Sequence, residues 1–163
     1  LFQWLGPVNA VSASLISLKQ FEKASISNID EAKSYRVGTI RGYGAAAHLL
    51  KQGFKENENL VLVAEPQQLW NLLYNRRIDY AATGVETSAY EIKAAGFDPA
   101  LSTQAFALDM PKAELHMATG LLTSPNEVHA IKVALHQLKE SGEYDRIMKK
   151  WGLIPMRSAP YSP

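Results

Sequence analysis

From Arg36 to Leu50 the chain reads RVGTIRGYGAAAHLL, a short strand-like run, two glycines around a tyrosine, and then an alanine-rich helix. Backbone N–H groups at a helix start, with the helix dipole behind them, favour a carboxylate or a phosphate. Gly42 and Gly44 let a ligand approach the backbone closely, and Tyr43 between them can stack on it or close over it. The same glycines also suit a bare strand-to-helix turn, and both readings stand at this stage. The turn lacks the Lys-Ser/Thr ending of a P-loop, and its spacing is not that of a dinucleotide fingerprint, so nucleotide binding is poorly supported. Glu86 and Asp79 are the carboxylates closest to a pair for acid/base work. Asp79 opens a strand, however, and is expected to cap it or to pair with Arg76 or Arg77.

Other chemistries are excluded by composition. The chain has no cysteine, so thiol nucleophiles, disulfides and cysteine metal sites are absent. Its four histidines, His48, His116, His129 and His136, form no zinc-protease motif, and no metal or cofactor is expected. Seventeen Lys and Arg against sixteen Asp and Glu, with no basic face, argue against nucleic acid as a partner. No apolar run approaches the roughly 20 residues that span a bilayer, and no signal-peptide pattern opens the chain, so a soluble domain is expected.

The elements follow from periodicity and punctuation. LFQWLGPV reads as a strand closed by a turn at Gly6-Pro7, and SASLISLK as a second strand with Ser12, Ser14 and Ser17 set against apolar residues. Ser27 or Asn28 caps a short helix that carries Asp30 and Glu31 in its first turn. Beyond Arg36 the pattern becomes regular: YRVGTI, NLVLVA and IDYAATG are strands, and each is followed by an amphipathic helix. NLVLVA is apolar throughout, as a strand covered on both faces requires. This βαβαβα order implies parallel strands joined by right-handed crossovers, hence an open α/β sheet. LSTQAFAL and AELHMATGLLTS read as further strands. A helix then starts at Ser124-Pro125 and stops at Gly142, with Val128, Ile131, Leu135 and Leu138 in one stripe. EYDRIMKKW is a last short helix, and the proline-rich tail GLIPMRSAPYSP is expected to be an extended arm.

In an open parallel sheet, ligands bind beyond the carboxyl ends of the strands. The loops that qualify are Arg41 to Gly44, Glu65, and Thr83 to Glu86.

Four segments together resemble the periplasmic solute-binding protein family 3, the amino-acid-type receptors of ABC importers, whose fold recurs in sensor-kinase input domains. FQWLGPV resembles that family's aromatic-Gly-Pro strand, and NIDEAKSYRVGTIRGYGAAAHL its ligand-facing turn. LWNLLYNRRIDYAATG resembles its "aLxxLxxGRiDAvv" stretch. ELHMATGLLTSPNEVHAIKVALHQLKESGEYDRIMKKWG is similar to its C-terminal segment. The resemblance implies a two-lobed, periplasmic-binding-protein-like (type II) α/β fold that closes on a small extracytoplasmic solute, polar and anionic or amino-acid-like, for a membrane ABC permease. It divides the chain into a hinge-proximal remnant of lobe one at 1–18, lobe two at 19–107, and a return into lobe one at 108–163. Most of the N-terminal lobe has no counterpart.

By position, the contacts that the resemblance carries over are Arg41, Gly42, Tyr43, Gly44, Thr83 and Gly84, with Trp4 as an apolar wall or a core residue. Where the family often places an aspartate for the ligand's ammonium this chain has Gly84, unless Glu86 substitutes. A binding protein without catalysis is the expected class. The alternatives are a dehydratase-like enzyme using Glu86, or the ligand-sensing input domain of a receptor kinase. The Val128–Leu138 stripe needs a partner surface. Either a homodimer, perhaps with exchanged elements, or a rearrangement laying these helices over lobe two is expected.

Overall fold

A computed structural model describes residues 1–111, 113–153 and 155. In chain order the elements are β1 (Gln3–Val11), β2 (Ala13–Leu18), a 3-10 turn (Glu31–Ser34), β3 (Val37–Ile40), α1 (Gly44–Lys51), β4 (Leu60–Val63), α2 (Pro66–Tyr74), β5 (Tyr80–Gly84), α3 (Val85–Ala94), a second 3-10 turn (Pro99–Leu101), β6 (Ser102–Ala107), β7 (Ala113–Thr119), α4 (Pro125–Glu140) and α5 (Glu143–Lys150). They fall into two compact units, Ser12–Pro111 and the pair of segments Leu1–Val11 and Lys112–Pro163. The expected short helix at Glu31 is a single 3-10 turn, and Asn28 accepts a hydrogen bond from the Glu31 N–H at 3.1 Å.

In the Ser12–Pro111 unit a five-stranded sheet has the order β4-β3-β5-β2-β6. Strand β3 runs parallel to β4 and β5, while β2 is antiparallel to both β5 and β6. Four of the five strands therefore point the same way, and β2 alone is reversed. Side chains alternate between two cores, as strand geometry requires. Leu15, Val37 and Tyr80 join Ala45 and Leu49 of α1 on one face. Ile16, Ile40 and Ala81 join Leu69, Trp70 and Leu73 of α2 and Ile92 of α3 on the other. The chain steps from β3 out to β4, then back past β3 to β5, and this reversal puts the connecting helices on opposite faces.

Several expectations change here. Strand β2, expected to belong with the segment 1–18, is built into this sheet. The N–H of Leu108 bonds the Ala13 carbonyl at 2.9 Å, so the unit also reaches past 107. Ser14 and Ser17 do not face water: they are 1% and 0% exposed, and their hydroxyls bond Gln104 and the Ala24 carbonyl at 2.9 and 3.1 Å. Strand β4 is at the sheet margin, so Val61, Leu62 and Val63 are only half-buried. Asp79 pairs with neither Arg76 nor Arg77. Its Oδ2 accepts the Arg36 N–H at 2.8 Å, and its own N–H donates to the Arg36 carbonyl at 2.8 Å, which sets the register of β5 against β3.

In the second unit β1 and β7 form an antiparallel pair. Gly6-Pro7 does not end the strand: β1 continues to Val11, with register shifts between Trp4 and Gly6 and between Pro7 and Asn9. Proline has no ladder donor, and a bulge absorbs it without a turn. Helix α4 starts where expected, with Ser124 as cap and Glu127 closing a capping box. Its Val128, Ile131, Leu135 and Leu138 are half-buried, and none of its residues is fully buried. Lys139 donates to the Pro7 carbonyl at 2.7 Å, and the Tyr144 hydroxyl of α5 to the Val8 carbonyl at 3.1 Å, which ties both helices to the bulged stretch of β1. The proline-rich tail lies largely outside the described residues.

Candidate functional site

The order β4-β3-β5 places a topological switch point between β3 and β5, because the connection from β3 leaves in one direction and the connection into β5 arrives from the other. At such a point two βα loops diverge and leave a crevice beyond the strand ends. Here those loops are Arg41–Tyr43, leading into α1, and Gly84, leading into α3. The two strands are stitched just below the crevice, where the buried Thr39 hydroxyl donates to the Ala82 carbonyl at 2.8 Å.

Neither helix facing this crevice has a side-chain cap from its N-cap residue, Tyr43 for α1 and Gly84 for α3, although the first N–H of α3, that of Val85, already donates to the Ser12 carbonyl at 3.1 Å. Helix α2, over the outer strand, differs. There the Gln68 side chain accepts from the N–H groups of Ala64 and Glu65 at 3.1 and 3.3 Å. The uncapped pair flanks the switch point, where amide donors and helix dipoles favour an anionic group. Glu65 therefore takes no comparable place.

Gly42 adopts φ +82°, the left-handed region, with open space where a Cβ would stand. A Cβ on Gly44 would meet the end of Met110 at 3.4 Å, so Met110 overhangs the helix start. Tyr43 is 49% exposed and free to stack. The guanidinium of Arg41 is an ion-pair partner of Glu56, which raises its pKa above the ordinary arginine value, while the Arg41 backbone N–H donates to the Val63 carbonyl at 2.8 Å. Thr83 is buried and pairs with Ser14 across β2. Glu86, considered as an ammonium acceptor or an acid/base, accepts from the N–H and the hydroxyl of Ser12, at 3.0 and 2.8 Å for Oε1.

The fold thus brings Arg41–Gly44 and Thr83–Glu86 to one sheet edge. Trp4 belongs to the other unit and is not a core residue: it is 63% exposed and sits edge-on to His116, with ring centroids 5.8 Å apart. Ser12, Glu56 and Met110 also reach the site, and none of them is marked for it by the residues around it in the sequence. Their roles depend on contacts with residues distant in the chain, for which local pattern carries no signal.

The sequence matches no protein-family model and no curated protein. Solved structures match the fold. A histidine kinase sensor domain with similarity to periplasmic binding proteins superimposes with a TM-score of 0.72 at 17% identity, covering 95% of this chain and 65% of that one. The amino acid ABC transporter substrate-binding protein AbpA from Streptococcus pneumoniae, bound to L-arginine, gives 0.69 at 17% identity, covering 93% and 61%. The probable amino-acid ABC transporter extracellular-binding protein ytmK from Bacillus subtilis gives 0.70 at 18% identity, covering 93% and 63%. The chain spans less than two thirds of the length of each. Its fold is that of the periplasmic-binding-protein-like α/β proteins, the architecture of amino-acid ABC transporter substrate-binding proteins.

Proposed function

We propose that this chain is a non-catalytic, extracytoplasmic solute-binding protein, or part of one, that captures a small anionic or amino-acid-like solute for an ABC importer. The observation that carries this reading is the pair of uncapped helix starts, α1 and α3, on either side of the β3/β5 switch point. A carboxylate docked there would receive the N–H groups of Gly42 and Gly44, since that of Tyr43 is bonded to the Ile40 carbonyl, and those of α3 beyond Val85, whose own N–H the Ser12 carbonyl holds, with the Tyr43 ring over its apolar part. Arg41 stays with Glu56 and steers rather than clamps. Glu86, committed to Ser12, does not serve as a general base, which weighs against the dehydratase-like alternative. On this reading Ser12–Pro111 corresponds to lobe two and the other unit to the return into lobe one, and the partners are the solute and a membrane permease.

A thermal-shift screen of amino acids, small carboxylates, phosphate and polyamines tests the reading, run on this chain and on its Gly44→Val variant. A carboxylate or amino acid should raise the melting temperature of the wild type and not of the variant, where the new side chain obstructs the helix start. Stabilisation by polyamines alone, or by anions equally in both proteins, would overturn it. A second reading, the input domain of a receptor kinase, is favoured by the superposition on a histidine kinase sensor domain. It shares the site and differs in the partner, so the gene sequence flanking this chain distinguishes them.

A further inference from the structure

We propose that the Ser12–Pro111 unit carries a second ligand site, at the sheet edge opposite the glycine turn, which takes a small zwitterion with a branched or aromatic apolar body. The proposal is independent of the function proposed above. A cavity of about 350 Å³ opens there, between the end of β2, the end of α2 and the residues that lead into β5. That size is at the lower end of small-molecule pockets, which run from about 300 to 1,000 Å³.

Leu18, Leu73 and Ile78, all buried, line it with Phe21. This apolar wall is preformed. The Phe21 ring is edge-on to both Tyr35 and Tyr80 at 5.6 Å, and the Tyr80 hydroxyl holds the same loop through the Lys23 carbonyl at 2.7 Å. Charges of both signs, Arg76, Glu22 and Asp79, also line the cavity. Arg76 and Glu22 have no ion pair among the described residues, and one oxygen of Asp79 is spent on the Arg36 N–H. A guanidinium suits a carboxylate, the carboxylate of Glu22 suits an ammonium, and the apolar wall of the same cavity suits a hydrocarbon body.

Arg76 itself supplies the independent argument. Helix α2 ends in a Schellman motif: the Arg76 and Arg77 N–H groups bond the carbonyls of Leu73 and Leu72 at 3.0 and 2.8 Å, and Arg76 has φ +55°. That position favours glycine, since a Cβ there is strained. The other four α-helices among the described residues each have a left-handed glycine there, Gly53, Gly96, Gly142 and Gly152. An arginine standing in a glycine position, on the wall of a cavity, points to a use for its side chain.

The test is an amide chemical-shift titration of the whole chain with L-leucine and with L-phenylalanine. Saturable shifts are expected at residues 20–22 and 73–79. 4-Methylpentanoate, lacking the ammonium, and 3-methylbutylamine, lacking the carboxylate, should each bind about tenfold or more weakly than leucine. Arg76→Gly should weaken leucine binding by about tenfold or more without lowering the melting temperature, because glycine suits the backbone there. Glu22→Gln, at an exposed side chain, provides a variant whose folding is not in question and should also weaken binding. No shifts at 20–22 and 73–79, or leucine binding unchanged in both variants, would overturn the proposal. Shifts confined to residues 41–44 and 84–87 would also overturn it while leaving the function proposed above intact.

Discussion

Glu86 holds Ser12 at three points: its carboxylate accepts the Ser12 N–H at 3.0 and 3.2 Å and the Ser12 hydroxyl at 2.8 Å. The Val85 N–H meanwhile donates to the Ser12 carbonyl at 3.1 Å, so the first turn of α3 grips both peptide groups of the residue that precedes β2. Glu86→Ala removes the acceptor for two donors in a half-buried setting and should lower stability by about 1–3 kcal/mol. Ser12→Ala removes only the hydroxyl and should cost less, about 1 kcal/mol. Urea denaturation of both variants and the double variant checks this, and an additive double variant would show that the two side chains do not interact.

Tyr80 makes alkaline stability testable. Its hydroxyl pKa is pushed up to about 12, chiefly by burial and then by Tyr35, Asp79 and Glu31. A folded pKa above the ordinary tyrosine value of about 10 means that its stabilisation is complete below pH ~10 and is lost as pH rises towards ~12. Urea midpoints at pH 9 and pH 11.5 should therefore fall further for wild type than for Tyr80→Phe, which has no proton to lose. Equal falls would contradict the assignment.

Local pattern sufficed for the alternation from Val37 to Ala94, because each strand and helix there is punctuated by its own glycine, proline or cap. The loops Arg41–Gly44 and Thr83–Glu86 could be placed after β3 and β5 for the same reason, but the switch point between those strands needs the order β4-β3-β5, which local pattern does not carry. What lay beyond reach was pairing across the chain. Gly6-Pro7 has the local chemistry of a turn, but Pro7 pairs with His116 and the bulges keep β1 extended. Nothing near Ala13 signals that β2 inserts between β5 and β6, nor near Asp79 that its partner is the Arg36 backbone. Arg76 conceals a helix end that a glycine would have marked.

The capping box of α4 predicts an acid-side effect in the other unit. The Ser124 N–H and hydroxyl donate to Glu127 at 3.1 and 2.8 Å, and these bonds hold the Glu127 carboxyl below its usual pKa. The stabilisation is therefore present above the ordinary glutamate range and is lost as pH falls through the lowered value. Ser124→Ala should reduce helicity at neutral pH and narrow the difference from wild type between about pH 5 and pH 3. Circular dichroism of the two proteins measures it, and a difference that stays constant with pH would assign the cap to the serine alone.

A last prediction concerns association. Strands β1 and β7 form a sheet of their own, so each has an edge without a neighbouring strand among the described residues, and open edges of this kind invite pairing between chains. The same pair exposes Trp4 at 63%, Leu115 at 46% and Met117 at 40%, while α4 keeps Val128, Ile131, Leu135 and Leu138 only half-covered. Two-stranded sheets are marginal in water without further packing, so a second copy, docked edge to edge or exchanging an element, would cover what one chain leaves open. Sedimentation velocity over a range of concentrations should show reversible dimerisation, and Leu115→Lys with Met117→Lys should abolish it. A wild-type chain that stays monomeric at the highest concentration tested would mean that this ribbon is stable with its edges open.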